Sequence, residues 1–516
     1  MKRPAIGADR GSAAAVLGLA VVTAAAYARF LSAGFAATDS LALVESSRLH
    51  NLGDVLQTFS QPVMQGTSFV SGEIVYRPFV SLTFALEYAM WGLQGAGYHV
   101  TNLLLHVLGV LSIWVVLTRL GVRRWAAIAG AGLFALHPLV VASVPVIARR
   151  DSLVPVTGFS ASLALLVVAE QSVGARRRWM LVGSILLFAV ALLSKESAFA
   201  ALAMLPMLLL CFGLSGGLPA REAVRRLGVV LPYLLVGAVV FATRLVVLRG
   251  LGGPGDTASI LNVDSHKYAQ TIGAFTRVLL WQFAGLAPST REVWPRLAGL
   301  LVIGLAATLP WLPRRHAVLC AAGGLWIAGY AVFSMVLKIE TVGWLAYFSL
   351  FGVALLFAAG LEGAVERLRN GLPGAGRRSA VARSAAALLI AGLGSYALSG
   401  VPASAVLHNY YQWQLAGDVT DRYMQALGEC IGTDPRVQAV DLSDVPSSLD
   451  DGQPETGLMG VTLLQDWTIT AALRLVYPGV AIPVHVESWY LLNGSADSLH
   501  FSCSRQAGVV KLTTLY

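Results

Sequence analysis

Apolar stretches long enough for a bilayer recur along most of the chain, separated by short polar segments. A membrane-crossing helix needs ~20 mostly apolar residues. The sharpest runs are 12–31, 97–118, 179–194, 228–248 and 384–400. Less sharply bounded runs at 125–142, 152–170, 198–213, 297–312, 316–336 and 343–361 bring the expectation to about eleven spans. A soluble core can be as apolar, but it does not repeat at this length. The N-terminus has the outline of a secretory signal, with Lys2 and Arg3 before an apolar run. The length of that run, and the lack of a clear small-residue cleavage site, favour a first span instead. No heptads, low-complexity tails or tandem repeats stand out.

Composition agrees with the pattern. Of 516 residues, 56% are hydrophobic and 13% are charged, where a soluble chain carries about 25% charged residues. The 52 glycines suit close helix–helix approach in lipid.

A net charge of +9 would suggest nucleic acid in a soluble protein. Here the basic residues cluster in every second loop between spans. They are Lys2, Arg3 and Arg10; Arg119, Arg123 and Arg124; Arg176, Arg177 and Arg178; Arg221, Arg225 and Arg226; Arg314 and Arg315; and Arg367, Arg369, Arg377, Arg378 and Arg383. Basic loops stay on the cytoplasmic side. The expected topology has the N-terminus in the cytoplasm and residues from about 401 onward outside, at a bacterial inner membrane facing the periplasm. Partners are then membrane lipids and not nucleic acid.

Two domains follow: a membrane domain over 1–400 and an extracytoplasmic α/β domain over 401–516. The membrane domain carries outer loops at 32–78 and 249–296, and an amphipathic outer-surface helix at 79–91. The segment 271–287 is apolar enough to dip into the membrane or lie on it. The tail alternates apolar and polar positions. It predicts helices at 411–428 and 460–476 and strands at 437–442, 482–491, 498–504 and 508–514. Cys430 and Cys503 form a disulfide there or remain two buried thiols; Cys211 and Cys320 lie in spans and read as packing residues.

Ionisable groups at a membrane are costly and point to function. On this topology Asp39, Arg77, His99, His106, His137, Arg149, Arg150, Asp151, Lys195, Glu196, Lys338 and Glu340 gather on the outer side. Such a mixture can bind a phosphate and hold carboxylates for acid–base work. His99, Asn102 and His106 share one helix face, two turns apart, so the two imidazoles are poorly placed to chelate one metal. Each signal also has a plain structural explanation. The face at 99–106 suits interhelical hydrogen bonds, Lys195 a snorkelling turn residue, His137-Pro138 a corner, and Asp39 a helix cap.

The ordered set of motifs resembles the GT-C superfamily of polyprenyl-phosphate-sugar glycosyltransferases. Within it, the chain is most similar to the membrane part of TPR-containing transmembrane O-mannosyltransferases and their bacterial relatives. The matching text is Tyr76-Arg77-Pro78, the run Tyr98 to His106, Phe134-Ala135-Leu136-His137-Pro138, Ala148-Arg149-Arg150-Asp151 and Leu193-Ser194-Lys195-Glu196. It covers about 35–215 in family order.

The resemblance implies sugar transfer from a lipid-linked phosphate to an acceptor hydroxyl on a protein or glycan, in protein or cell-envelope glycosylation. Asp39 falls at the family's general base. Lys195, Arg149 and Arg77 fall at cationic positions for the leaving phosphate, and Asp151 and Glu196 sit within the same motifs. His99, Asn102, His106 and His137 would position headgroup and loop. No metal ligand set is assigned; magnesium or manganese stays an open option as cofactor.

The chain also departs from the pattern. Close relatives pair acids where this chain has Thr38-Asp39, and carry a Glu where it has Ala142. His137 and Arg149 match with a one-residue deletion. A later Glu-Arg would fall on Gly343 and Trp344 unless Glu340 substitutes. The α/β tail occupies the place of the TPR array. A lipid-linked saccharide flippase and a non-catalytic assembly protein remain the alternatives. The flippase is disfavoured by the lack of matching halves and by charges gathered at one face.

Overall fold

The computed structural model describes residues 10–35, 39–49, 51–67, 73–250, 253–254, five positions between 272 and 279, 303–304, 306–336, 346–370, 403–432, 437–449, 464–477, 482–492, 496–506 and 508–515. The expected span at 384–400, most of that at 297–312, and Thr38, Lys338, Glu340, Gly343 and Trp344 lie outside the described residues.

The chain opens with α1 (Arg10–Tyr27), α2 (Ser40–Ser46) and α3 (Leu52–Thr58). A two-residue strand β1 (Glu73–Ile74) precedes α4 (Pro78–Trp91), α5 (Gly95–Arg119) and α6 (Arg124–Leu136). Then come α7 (Arg150–Glu170), α8 (Gly174–Leu192), α9 (Ser197–Ser215), α10 (Ala220–Arg225) and α11 (Leu231–Leu248). Strand β2 (Gly253–Pro254) pairs antiparallel with β1, tying the segment before α4 to the segment after α11. Helices α12 (Arg314–Val336) and α13 (Leu350–Asn370) complete the described membrane part.

Seven segments among the described residues are long and apolar enough to cross a membrane: Gly11–Ser32, Gly95–Arg119, Ile147–Glu170, Ser197–Ser215, Ala220–Leu248, Arg314–Ser334 and Tyr347–Arg367. The protein is a mostly helical integral membrane protein. Two of the expected spans that fall within the described residues are not among these seven, for identifiable reasons. The expected span at 125–142 stops at Leu136, because Pro138 cannot continue the helix, and a 3-10 turn Pro138–Ala142 follows. Helix α8 carries Arg176, Arg177 and Arg178 within its first two turns, which lowers its apolarity.

Helix α7 is the centre of the bundle, with 89% of its apolar window buried against 22% for the first segment. Small residues let its neighbours close in. A Cβ on Gly158 would stand 3.0 Å from the carbonyl of Leu187 on α8. Ser184 on α8 donates to the Ser162 carbonyl at 2.6 Å and meets the Tyr233 hydroxyl of α11 at 2.6 Å. Helices α12 and α13 approach where a Cβ on Gly323 would lie 2.6 Å from the Gly352 carbonyl. Phe159, Trp326, Phe348 and Phe351 stack between α7 and this pair.

Past the membrane part, α14 (Ala403–Ile431) leads to β3 (Ala439–Ser443), β4 (Val445–Leu449), α15 (Asp466–Val476), β5 (Val484–Val486), β6 (Trp489–Leu492), β7 (His500–Gln506) and β8 (Val509–Leu515). Four strands form a sheet in the order β5-β3-β8-β7, with β7 and β8 antiparallel and the other pairs parallel. Strands β4 and β6 pair separately in parallel. Cys430 at the end of α14 is disulfide-bonded to Cys503 on β7. Val440, Leu442, Val510 and Leu512 pack under Val419, Tyr423 and Leu427 of α14 in a second core.

These tail elements sit directly on the membrane part. Leu41, Leu43 and Val44 of α2 pack with Val80 and Phe84 of α4 and with Ala471, Ala472 and Leu475 of α15. Arg474 pairs with Glu45 at 3.1 Å. At Gly417 of α14, a Cβ would lie 2.6 Å from the Gly34 nitrogen.

Candidate active site

Four chain corners meet at one end of the bundle, and each is shaped by its own local sequence. Pro78 occupies the first turn of α4, where its missing N–H costs nothing, and leaves Arg77 as the preceding N-cap. A 3-10 turn Ile147–Arg149 feeds α7, so Asp151 falls in that helix's first turn. There the helix dipole favours a carboxylate. Lys195 and Glu196 form the tight corner between α8 and α9. Asp39 precedes α2 but makes no side-chain cap hydrogen bond, so capping does not account for it.

The side chains at these corners join into a charged network. Arg77 donates to Asp151 Oδ2 at 2.7 Å and to Glu196 Oε2 at 3.0 Å. Lys195 Nζ donates to the same Asp151 oxygen at 2.9 Å and to Ser152 Oγ at 2.8 Å. Arg244 on α11 donates to Glu196 Oε1 at 2.7 Å. Arg149 pairs with Asp39 at 3.2 Å and acts electrostatically on Asp151 and Lys195. The four cations Arg77, Arg149, Lys195 and Arg244 thus face three acids, Asp39, Asp151 and Glu196. Among the described residues of this network the surplus is one positive charge, which suits an anionic ligand.

Lys195 is buried, and burial pushes its ammonium below the ordinary range, with Asp151 pulling the other way. For Glu196 burial pushes upward, but Arg77 and Arg244 outweigh it and hold the carboxyl at about 2. Asp39 Oδ1 is buried with no hydrogen-bond partner among the described residues. Among those residues no group of three His, Cys, Asp or Glu is placed to hold a metal ion.

Of the residues expected from sequence, Asp39, Arg77, Arg149, Asp151, Lys195 and Glu196 come together here. The other four are engaged elsewhere. Asn102 donates to the carbonyls of Val144 and Val146 at 3.4 and 3.0 Å, fixing the loop that ends in Arg149. His99 Nε2 lies 3.3 Å from the Gly34 carbonyl, on the segment leading to Asp39. His106 sits between the Tyr347 hydroxyl at 2.7 Å and the Ala135 carbonyl at 3.0 Å. His137 Nδ1 accepts from the Leu139 N–H at 3.2 Å, capping the 3-10 turn.

Sequence reasoning missed two participants. Arg244 is a lone charge in the apolar run 228–248, which is itself a signal. Glu87 lies on α4 and pairs with Arg150 of α7, both buried. Arg150 also donates to Asn102 Oδ1 at 2.9 Å and the Tyr98 carbonyl at 3.0 Å, and stacks on Phe84 at 4.4 Å. It anchors the backbone between Arg149 and Asp151.

No family model matches the chain. It is similar to protein O-mannosyl-transferase Tmtc2 of Drosophila melanogaster, 29% identical over 266 residues, which are 50% of this chain and 27% of that protein. It is 30% identical to protein O-mannosyl-transferase TMTC3 of Mus musculus over 177 residues, 34% of this chain and 19% of that one. The chain thus spans about a quarter or less of the length of these relatives. Among solved structures it is similar to ArnT from Cupriavidus metallidurans bound to undecaprenyl phosphate, with a TM-score of 0.46, 14% identity and coverage of 92% of this chain and 90% of that one. It is also similar to the Archaeoglobus fulgidus oligosaccharyltransferase, with a TM-score of 0.48, 13% identity and coverage of 82% and 58%. The resemblance drawn from the motifs holds at the level of sequence: the curated relatives named here are glycosyltransferases.

Proposed function

We propose that this chain is a GT-C-type glycosyltransferase that moves a sugar from a polyprenyl-phosphate donor to an acceptor hydroxyl, on the membrane face opposite the basic loops. The observation that carries this is the convergence of Asp39, Arg77, Arg149, Asp151, Lys195 and Glu196 from four separate corners. A purely structural set of ion pairs would not need, among the described residues, a surplus cation beside a carboxylate oxygen that lacks a partner.

In this mechanism Asp39 takes the proton of the acceptor hydroxyl, and the freed oxygen attacks the anomeric carbon. The bond from that carbon to the phosphate oxygen breaks, and its electron pair leaves with the polyprenyl phosphate. Lys195 and Arg149 stabilise the leaving phosphate, with Arg77, which shares Asp151 Oδ2 with Lys195, contributing beside them. Asp151 and Glu196 hold Lys195, Arg77 and Arg244 in place. Asn102, His99 and His137 fix the segments that lead to Arg149 and Asp39, and His106 ties α5 to Tyr347 and to the Ala135 carbonyl. With the basic loops in the cytoplasm, the N-terminus is cytoplasmic and the tail forms a small extracytoplasmic α/β domain beside the acceptor side of the site. The relatives' names favour mannose and a protein acceptor. The missing acids at Thr38 and Ala142 leave sugar and acceptor to experiment.

The test is mass spectrometry of glycolipids and glycoproteins from cells with and without the protein. A sugar modification that depends on the chain, and is lost with Lys195→Ala, is expected. Identical glycan profiles with and without the protein would sink the proposal.

A further inference from the structure

The end of the bundle that carries the basic loops has a feature the transfer reaction does not use. Helix α5 ends there at Arg119, α7 at Glu170 and α9 at Ser215, and the chain returns through α10 and the 3-10 turn Arg226–Val230. These ends do not close on one another. They leave a cavity of about 220 Å³ whose inner wall is apolar, with Leu166, Leu209 and Phe212, and whose lining also includes Arg119, Glu170 and Arg226. A polar solute would gain little from that wall, and an apolar one would not need the arginines.

Charge narrows the occupant further. Arg119, Arg176, Arg177, Arg178, Arg221, Arg225 and Arg226 surround this end, against the acids Glu170 and Glu222. Arg177 rests on Glu170 at 3.2 Å and Arg226 on Glu222 at 2.7 Å, and all four side chains are substantially exposed. Ion pairs of this kind are worth little. A phosphate that offers Arg two parallel charge-assisted bonds can displace them. Basic pockets between helices on the cytoplasmic side are a recurrent seat for anionic lipid headgroups.

The cavity is distinct from the charged site described above. Helix α9 begins beside Lys195 and ends at the cavity, and its 19 residues span about 28 Å.

We infer that this cavity binds an anionic phospholipid of the leaflet facing the basic loops, with one acyl chain against Leu209 and Phe212 and the phosphate between Arg119 and Arg226. The inference does not depend on the sugar-transfer proposal.

The test uses the full chain in detergent, titrated with phosphatidylglycerol or with phosphatidylcholine of the same acyl chains. Thermal unfolding and native mass spectrometry are the readouts. Phosphatidylglycerol is expected to raise the melting midpoint and stay bound, with at least tenfold weaker retention of phosphatidylcholine. Arg119→Ala/Arg226→Ala and the cavity-filling Leu209→Trp should each remove that preference, while Asp39→Asn keeps it. Equal binding of the two lipids, or an equal shift with inorganic phosphate, would overturn the inference. So would an unchanged preference in Leu209→Trp, which also carries the test if the double arginine variant fails to fold.

Discussion

Arg150→Met isolates the physics that holds the site's backbone in place. Arg150 is fully buried, its partner Glu87 is nearly so, and the guanidinium also serves Asn102 Oδ1 and the Tyr98 carbonyl. Removing one member of a buried pair leaves the other charge uncompensated, at a cost of about 3–5 kcal/mol. Burial already raises the Glu87 carboxyl, and Arg150 is the main force opposing that rise. In the variant the opposing force is gone, so Glu87 rises further and takes up a proton to escape the penalty.

The sign of the pH dependence follows. A carboxyl raised in the folded state favours folding most below its unfolded value and loses that advantage as pH rises through the folded one. Arg150→Met should therefore be most impaired at alkaline pH and partly recovered at acidic pH. The double variant Glu87→Gln/Arg150→Met should regain most of the loss and show no such slope. Thermal unfolding of purified protein across pH measures both. A single variant as stable as wild type at every pH, or a double variant no better than the single, would refute the reasoning.

Other outcomes follow from neighbouring groups. Glu196 sits at about 2, so its ion pairs are intact above the ordinary carboxyl value of 4.5 and fail only as pH falls toward 2; Glu196→Gln should leave the position of any acidic limb in the activity–pH profile unchanged. Opening the Cys430–Cys503 disulfide, whose partners are 73 residues apart, should destabilise the tail by about 4 kcal/mol in the loop-entropy model, read by unfolding of a Cys430→Ser/Cys503→Ser variant. Arg474→Glu breaks a partly exposed pair with Glu45 on α2, worth about 0.2–1 kcal/mol. It should lower turnover through Asp39 at the head of that helix, and Glu45→Arg in the same chain should restore it.

The membrane character and the charge alternation were legible because apolar length and loop charge are local properties. The convergence of Arg77, Asp151 and Lys195 was legible only as a grouping on one side, since the sequence places them on different corners and carries no distances. Arg244 escaped because an apolar run masks one charge, although the cost of burying that charge was the clue. The span expected at 125–142 broke at His137-Pro138, where local turn chemistry overrides mean apolarity. The seating of α15 on α2 could not be read at all, because both faces are ordinary amphipathic surfaces until they meet.

The most direct test is a sugar-transfer assay with purified protein and a polyprenyl-phosphate sugar, run on wild type, Asp39→Asn and Lys195→Ala alongside a donor-binding measurement. Removing a general base costs about 10²–10⁴-fold in rate, and removing a charge-stabilising donor about 10²–10³-fold. Transfer should fall by these factors in both variants, with donor affinity kept in Asp39→Asn and weakened in Lys195→Ala. Transfer at the wild-type rate in both would contradict the placement of the reaction at this site.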